Sequence, residues 1–246
     1  MAYKHNPKTE GSGIVCAIPH KEKCPIECPD CFFQSGRSYL EPLEDNLPNM
    51  PEPDDYHQRI VRVNDGHDSN IDRELVMKAV SHIPDVFYNT SIPTDLESFD
   101  DPVVLTLNPG RMTDRDFHRL EDIPENLMFV RFRVNTWNNF LFREAVQFYG
   151  DHKVPVVATF IAYYQETIPE EHKQFYVFKK RTLNSYWVIK TDKWREIMDH
   201  WRDTSYEKWV STCSRIEGER GERGCRFCGV CLREYYATWE RINRGF

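Results

Sequence analysis

LMFVRFRV, residues 127–134, decides the fold through its alternation. Val130, Phe132 and Val134 step two residues apart, and Arg131, Arg133 and the following Asn135 occupy the positions between them. Successive side chains of a strand point to opposite faces, so this strand has one apolar and one polar face. A parallel strand buried on both faces reads instead as a continuous apolar run. Two readings follow: the polar face points into a cavity while the apolar face packs on helices, or this is an edge strand with ordinary surface arginines.

The neighbouring segments set the context. Gly13–Ile18 (GIVCAI), Arg59–Val63 (RIVRV), Val86–Thr90 (VFYNT), Val103–Leu107 (VVLTL) and Val154–Ala162 (VPVVATFIA) are short β-prone runs. Helical patterns fall near Asp72–His82, Thr113–Leu120 and Asn139–Tyr149. Strands alternating with helices at this spacing indicate βα units and a parallel sheet. Six such units predict an α/β fold, a partial (β/α)6 TIM-like barrel over residues 1–170. Residues 40–58, rich in Pro, Glu and Asp, read as an exposed excursion. After residue 165 the alternation fades, and a helix over Thr191–Trp201 leads to a cysteine group. Residues 171–246 are therefore expected to form a small C-terminal cysteine-rich extension.

Apolar residues make up 40% of the 246-residue chain and aromatics 13%, which supports a packed core and excludes global disorder. No basic and apolar leader opens the chain, and the longest apolar runs are too short to span a bilayer. A cytoplasmic protein without membrane contact is expected. The net charge of −7 is uneven: residues 171–246 hold 16 Lys or Arg against 11 Asp or Glu, or +5, leaving −12 for residues 1–170. The basic excess, with Trp194, Trp201, Trp209, Tyr235 and Tyr236, reads as a polyanion-contacting tail or as a solvated helical surface.

Eight cysteines fall mostly into two tight groups, a distribution that favours thiolates on metal over disulfides. Cys24, Cys28 and Cys31 lie in CPIECPDCFF, directly after the first strand. Structural zinc sites take four protein ligands, and this loop has three. Three thiolates can hold three irons of a 4Fe-4S cluster and leave the fourth iron open. Cys213, Cys225, Cys228 and Cys231 form the second group, where four thiolates saturate a 4Fe-4S cluster or a zinc ion. Cys16, on a short apolar strand, reads as a small buried side chain, and His20 as loop surface.

The CxxxCxxC spacing of Cys24, Cys28 and Cys31, placed after a first strand and ahead of further βα units, resembles the signature of radical S-adenosylmethionine (radical SAM) enzymes. The resemblance covers about residues 13–165. Asp30 stands where many members carry an aromatic residue, and Phe32 and Phe33 follow, placed to cover the cluster or the adenine. The resemblance implies a 4Fe-4S cluster on the three cysteines, with S-adenosylmethionine bound through its amino and carboxylate groups to the open iron. It further implies reductive cleavage to a 5′-deoxyadenosyl radical that abstracts hydrogen from a substrate, with an electron donor such as flavodoxin or ferredoxin. The segment that receives the methionine amine in that family falls at Asn64, Asp65, Gly66, His67, Asp68 and Ser69; it also reads as a plain turn. Chemistry in barrels takes place at the C-terminal ends of strands, which adds Asn89, Thr90, Ser91, Asn108, Arg133 and Asn135 as cofactor- or substrate-binding candidates, or as turn and capping residues. The second cysteine group then corresponds to an auxiliary 4Fe-4S cluster, with zinc as the alternative. The competing class is a non-catalytic zinc- or iron-sulfur-binding protein that contacts nucleic acid. The substrate itself is open among small metabolite, nucleotide, nucleic acid and peptide.

Overall fold

The computed structural model describes residues 2–28, 31–33, 36, 38–108, 119–164, 167–180, 185–213 and 224–244. Its strands are β1 (Ile14–Ala17), β2 (Ile60–Val63), β3 (Val86–Thr90), β4 (Val103–Leu107), β5 (Leu127–Val134), β6 (Val156–Phe160), β7 (Tyr176–Lys179), β8 (Tyr186–Ile189) and β9 (Val210–Thr212). The helices are α1 (Leu43–Asn46), α2 (Pro53–Tyr56), α3 (Arg73–Val80), α4 (Asn139–Asp151), α5 (Thr191–Asp199), α6 (Cys225–Cys228) and α7 (Val230–Arg244). Seven strands form one parallel sheet in the order β1-β2-β3-β4-β5-β6-β9, curled into a half-barrel. β7 and β8 pair antiparallel as a separate hairpin.

The alternation in β5 is realised as a cavity-facing strand. Val130, Phe132 and Val134 join the main core with Leu141, Phe142, Ala145, Val146 and Tyr149 of α4. Those helical positions recur at three- and four-residue steps and make one buried stripe. β5 lies between β4 and β6, so it is not an edge strand.

The other face of the sheet divides along the strand direction. Ile60, Phe87, Val104, Phe129 and Val157, towards the strand starts, pack with Val230 and Tyr235 of α7. Two residues further along the same face stand Arg62, Asn89, Thr106, Arg131 and Thr159, which line a cavity. α7 thus plugs the lower half of the concave face and leaves the upper half polar and open. Arg241 fastens the helix, its guanidinium donating to the Glu125 and Leu127 carbonyls at 2.8 Å each.

Several expectations are corrected here. The sheet has a seventh strand, β9, supplied from within residues 171–246 and paired parallel with β6. The excursion at 40–58 is partly packed: Leu40, Leu43 and Leu47 are buried with Ile18 and Phe33 in a small cluster behind the first cysteine loop. Trp194, Trp201 and Tyr235 are buried core residues rather than contact surface: Trp194 packs on Phe160 of β6, Trp201 on Phe142 of α4 and Tyr235 on Phe87 of β3. The helix expected over Thr113–Leu120 lies, apart from its last two residues, outside the described residues. Among the described residues no helix is long and apolar enough to cross a membrane.

Candidate functional site

The cavity, about 360 Å³, opens at the C-terminal ends of the strands. Ligands bind in this position in barrel and open α/β folds because the loops there are free to vary over a fixed scaffold. Cys24, Cys28 and Cys31 line one side of it. Cys24 is buried and the other two are half-buried. Burial pushes the Cys24 thiol up to about 11. The loop is turned by the Cys31 amide, which donates to the Cys28 carbonyl at 3.1 Å. Asp30 lies outside the described residues.

The loop after β2 forms the adjoining wall. Asn64 (φ 60°) takes the left-handed conformation tolerated by asparagine and starts the turn. Asn64, Asp65, Gly66, His67 and Asp68 all line the cavity, whereas Ser69 is buried behind it and accepts from the Asn64 amide at 3.1 Å. Asp65 pairs with Arg62 at 2.6 Å and also accepts from the Asn6 amide. Asp68 ties the β2 loop to the end of β3: Thr90 Oγ1, the Ser91 amide and Ser91 Oγ donate to it at 2.6, 2.6 and 2.8 Å. Its acceptor sites are therefore largely committed to the fold. His67 stacks on His20, ring centroids 3.6 Å apart. Burial, with His20 as the second cause, holds the His67 imidazole down to about 4. The Asp68 amide donates to His67 Nδ1 at 2.9 Å, which leaves Nε2 to carry the ring proton. His20 is buried, not loop surface, with Nε2 3.0 Å from the Ile71 carbonyl.

Asn89, Thr90 and Ser91 after β3, Asn108 after β4 and Arg133 on β5 reach the cavity as expected. Asn135 does not. Its Oδ1 accepts the Trp137 and Asn138 amides at 3.0 and 2.7 Å, so it folds the turn into α4. Phe33 lines the cavity and packs against Gly66, where a Cβ would overlap its ring. Further lining residues are Lys8, Arg62, Thr106, Arg131, Thr159, Phe160 and Tyr164. The alternation that singles out Arg131 and Arg133 also picks out Arg62 in RIVRV, Thr106 in VVLTL and Thr159 in VVATF. Lys8, in the polar start of the chain, carries no such signal.

The second cysteine group meets the same cavity. Cys213 follows β9 and extends its pairing by donating its amide to the Ala158 carbonyl at 2.9 Å. Cys225 opens α6, its amide held by the Lys8 carbonyl at 3.2 Å. Both line the same cavity as the first cysteine loop. Cys228 ends α6 and Cys231 lies in the first turn of α7; both pack against the Val230–Tyr235 cluster, and Cys228 Sγ lies 3.7 Å from the Thr212 carbonyl. Burial pushes Cys231 up to about 11, opposed by Arg131 and then Arg62. Arg62 is buried, donates to Cys16 Sγ at 3.3 Å, and has no partner for its Nε among the described residues. Cys16 is itself fully buried, its thiol raised to about 12 chiefly by burial, consistent with a packing role. Among the described residues no group of three or more His, Cys, Asp or Glu side chains is arranged to hold a single metal ion. Comparisons with family models, with curated proteins and with solved structures find no match for this chain.

Proposed function

We propose that this protein is a radical SAM enzyme, in which Cys24, Cys28 and Cys31 hold a 4Fe-4S cluster whose open iron takes S-adenosylmethionine. The observation that carries the reading is that both cysteine groups open onto one cavity at the C-terminal ends of a parallel half-barrel. The donor set fits such a cluster: three thiols on one loop, beside a wall of polar side chains, with Phe33 and the Leu40, Leu43 and Leu47 cluster backing the loop against solvent. When bound, the cluster supplies an electron, from a donor such as flavodoxin or ferredoxin, for cleavage of the sulfonium to methionine and a 5′-deoxyadenosyl radical that abstracts a hydrogen atom.

The chain's own residues do the rest. The Asp68–Thr90–Ser91 bridge fixes the β2 and β3 loops relative to one another, so the polar groups of Asn64 and Asn89 are held in place before any ligand arrives. Arg131, donating to Asn89 Oδ1 at 3.1 Å, and Arg133 place positive charge on the β5 side, where a carboxylate finds its partner. Cys213, Cys225, Cys228 and Cys231 are the residues that would hold an auxiliary 4Fe-4S cluster. The buried Arg62, with its unpaired Nε, favours the thiolate forms of Cys225 and Cys231, and Arg131 that of Cys231.

Variants of the two groups test the reading. Cys28→Ala abolishes release of 5′-deoxyadenosine from S-adenosylmethionine under reducing, anaerobic conditions, whereas Cys228→Ala retains uncoupled cleavage. Equal cleavage by both variants would remove the catalytic role from the first loop.

A further inference from the structure

The β7–β8 hairpin is chemically unlike the rest of the molecule. Residues 172–191 contain Lys173, Lys179, Lys180, Arg181 and Lys190 and no Asp or Glu, within a chain of net charge −7. Lys173 is paired with Glu170 at 2.6 Å, but Lys179 and Lys180 are exposed and form no ion pair among the described residues. Beside them Phe178 is 48% exposed, with its ring 5.2 Å from that of its cross-strand partner Trp187. Trp187 is half-buried against the core and holds the exposed Phe178 ring in place, so one apolar ring is left in water beside unneutralised cations.

The hairpin is fastened to the rim of the cavity. Trp187 and Tyr163 exchange backbone hydrogen bonds at 2.8 and 3.0 Å, and the ring of Tyr186 lies 5.9 Å from that of Tyr164, which lines the cavity. Whatever docks on the hairpin therefore lies next to the mouth. At about 360 Å³ the cavity is too small for a polymer, so a polymeric substrate needs a holding surface outside it.

We propose that the hairpin docks a single-stranded nucleic acid and presents one unpaired nucleotide to the cavity. Lysines on the backbone phosphates and aromatic rings under unstacked bases are the two elements of single-strand recognition. Chemistry on a base requires that base to leave its stack, which a strand held at the rim permits. This deepens the enzymatic reading above, since it names the class of molecule whose reacting unit enters the site, but its test does not depend on catalysis.

The test is fluorescence anisotropy of full-length, cluster-reconstituted protein with labelled single-stranded RNA and DNA oligonucleotides of about 16 nucleotides. Anionic phospholipid vesicles and a polyglutamate peptide serve as competing polyanions. Oligonucleotide binding is expected to weaken with salt. Lys179→Glu with Lys180→Glu lowers the affinity at least about tenfold and flattens the logarithmic salt slope by about 1.4, while Phe178→Ala lowers affinity about tenfold. Lys78→Glu, at an exposed position of α3, leaves binding unchanged. A preference between the RNA and DNA probes identifies which strand is held. No oligonucleotide binding, wild-type binding by the double lysine variant, or capture of vesicles or peptide in preference to oligonucleotides overturns the proposal. Release of 5′-deoxyadenosine is measured on the same preparation without oligonucleotide. Protein that binds the strand but cleaves nothing keeps the docking surface and loses the enzyme reading; protein that cleaves but does not bind loses the docking surface alone.

Discussion

At Gly66 the first cysteine loop and the β2 loop touch, and the Phe33 ring occupies the space that a side chain would need. Gly66→Ala pushes Phe33 away and with it the Cys31 end of the loop. The expected cost is about 1–3 kcal/mol in urea unfolding, together with reduced iron uptake by the first group. Retention of full stability and iron would mean that the two loops are not mechanically joined. His67 makes a second prediction. Its pKa falls from the ordinary 6.5 to about 4 on folding, so the unfolded chain binds the extra proton between those values. Stability from this group is complete above pH 6.5 and is lost as pH falls through the window towards 4. Asp101, pushed up to about 6 by burial and then by Asp100 and Asp85, acts in the opposite direction over the same range. The measurement is therefore the difference in pH slope between wild type and His67→Gln, which lacks the His67 contribution. Residue-level reading of the sequence captured the alternating arginines of β5 but missed the side-chain commitments that only folding creates. Asp68 spends its oxygens on Thr90 and Ser91, and Asn135 spends its own on a turn.

The element that most alters the expected picture is α7. A cysteine-rich extension implies a tail on the barrel, yet α7 fills the lower half of the concave face, and β9 completes the sheet. Tyr235 carries the packing, with 1% of its surface exposed and its hydroxyl 3.2 Å from Asp85 Oδ1. Tyr235→Ala is expected to destabilise by about 3–5 kcal/mol while unfolding remains one transition, because helix and sheet share that core. Tyr236→Ala, at a position 58% exposed, is expected to change stability by no more than about 0.5 kcal/mol. A small effect at Tyr235, or a separate early transition, would show the helix to be a dispensable tail. The strand boundaries were legible because β-branched and aromatic runs are local signals: β3, β4 and β5 begin and end where their patterns do. β9 was not, since a three-residue strand has no periodicity to read and is fixed only by pairing with β6.

Over the whole molecule, the parallel α/β architecture was readable from strand–helix alternation, while the convergence of two cysteine groups 182 residues apart at their nearest (31 to 213) was not. Spacing within each loop is a local property. That Cys213 and Cys225 face the cavity lined by Cys24, Cys28 and Cys31 follows from β9 joining β6 and from α6 resting on the Lys8 carbonyl. The same convergence makes the central claim easy to challenge. Anaerobically reconstituted wild-type protein, reduced and given S-adenosylmethionine, is predicted to be brown, to hold about eight irons per chain, and to release 5′-deoxyadenosine and methionine. Colourless protein carrying stoichiometric zinc and cleaving no S-adenosylmethionine would contradict the account.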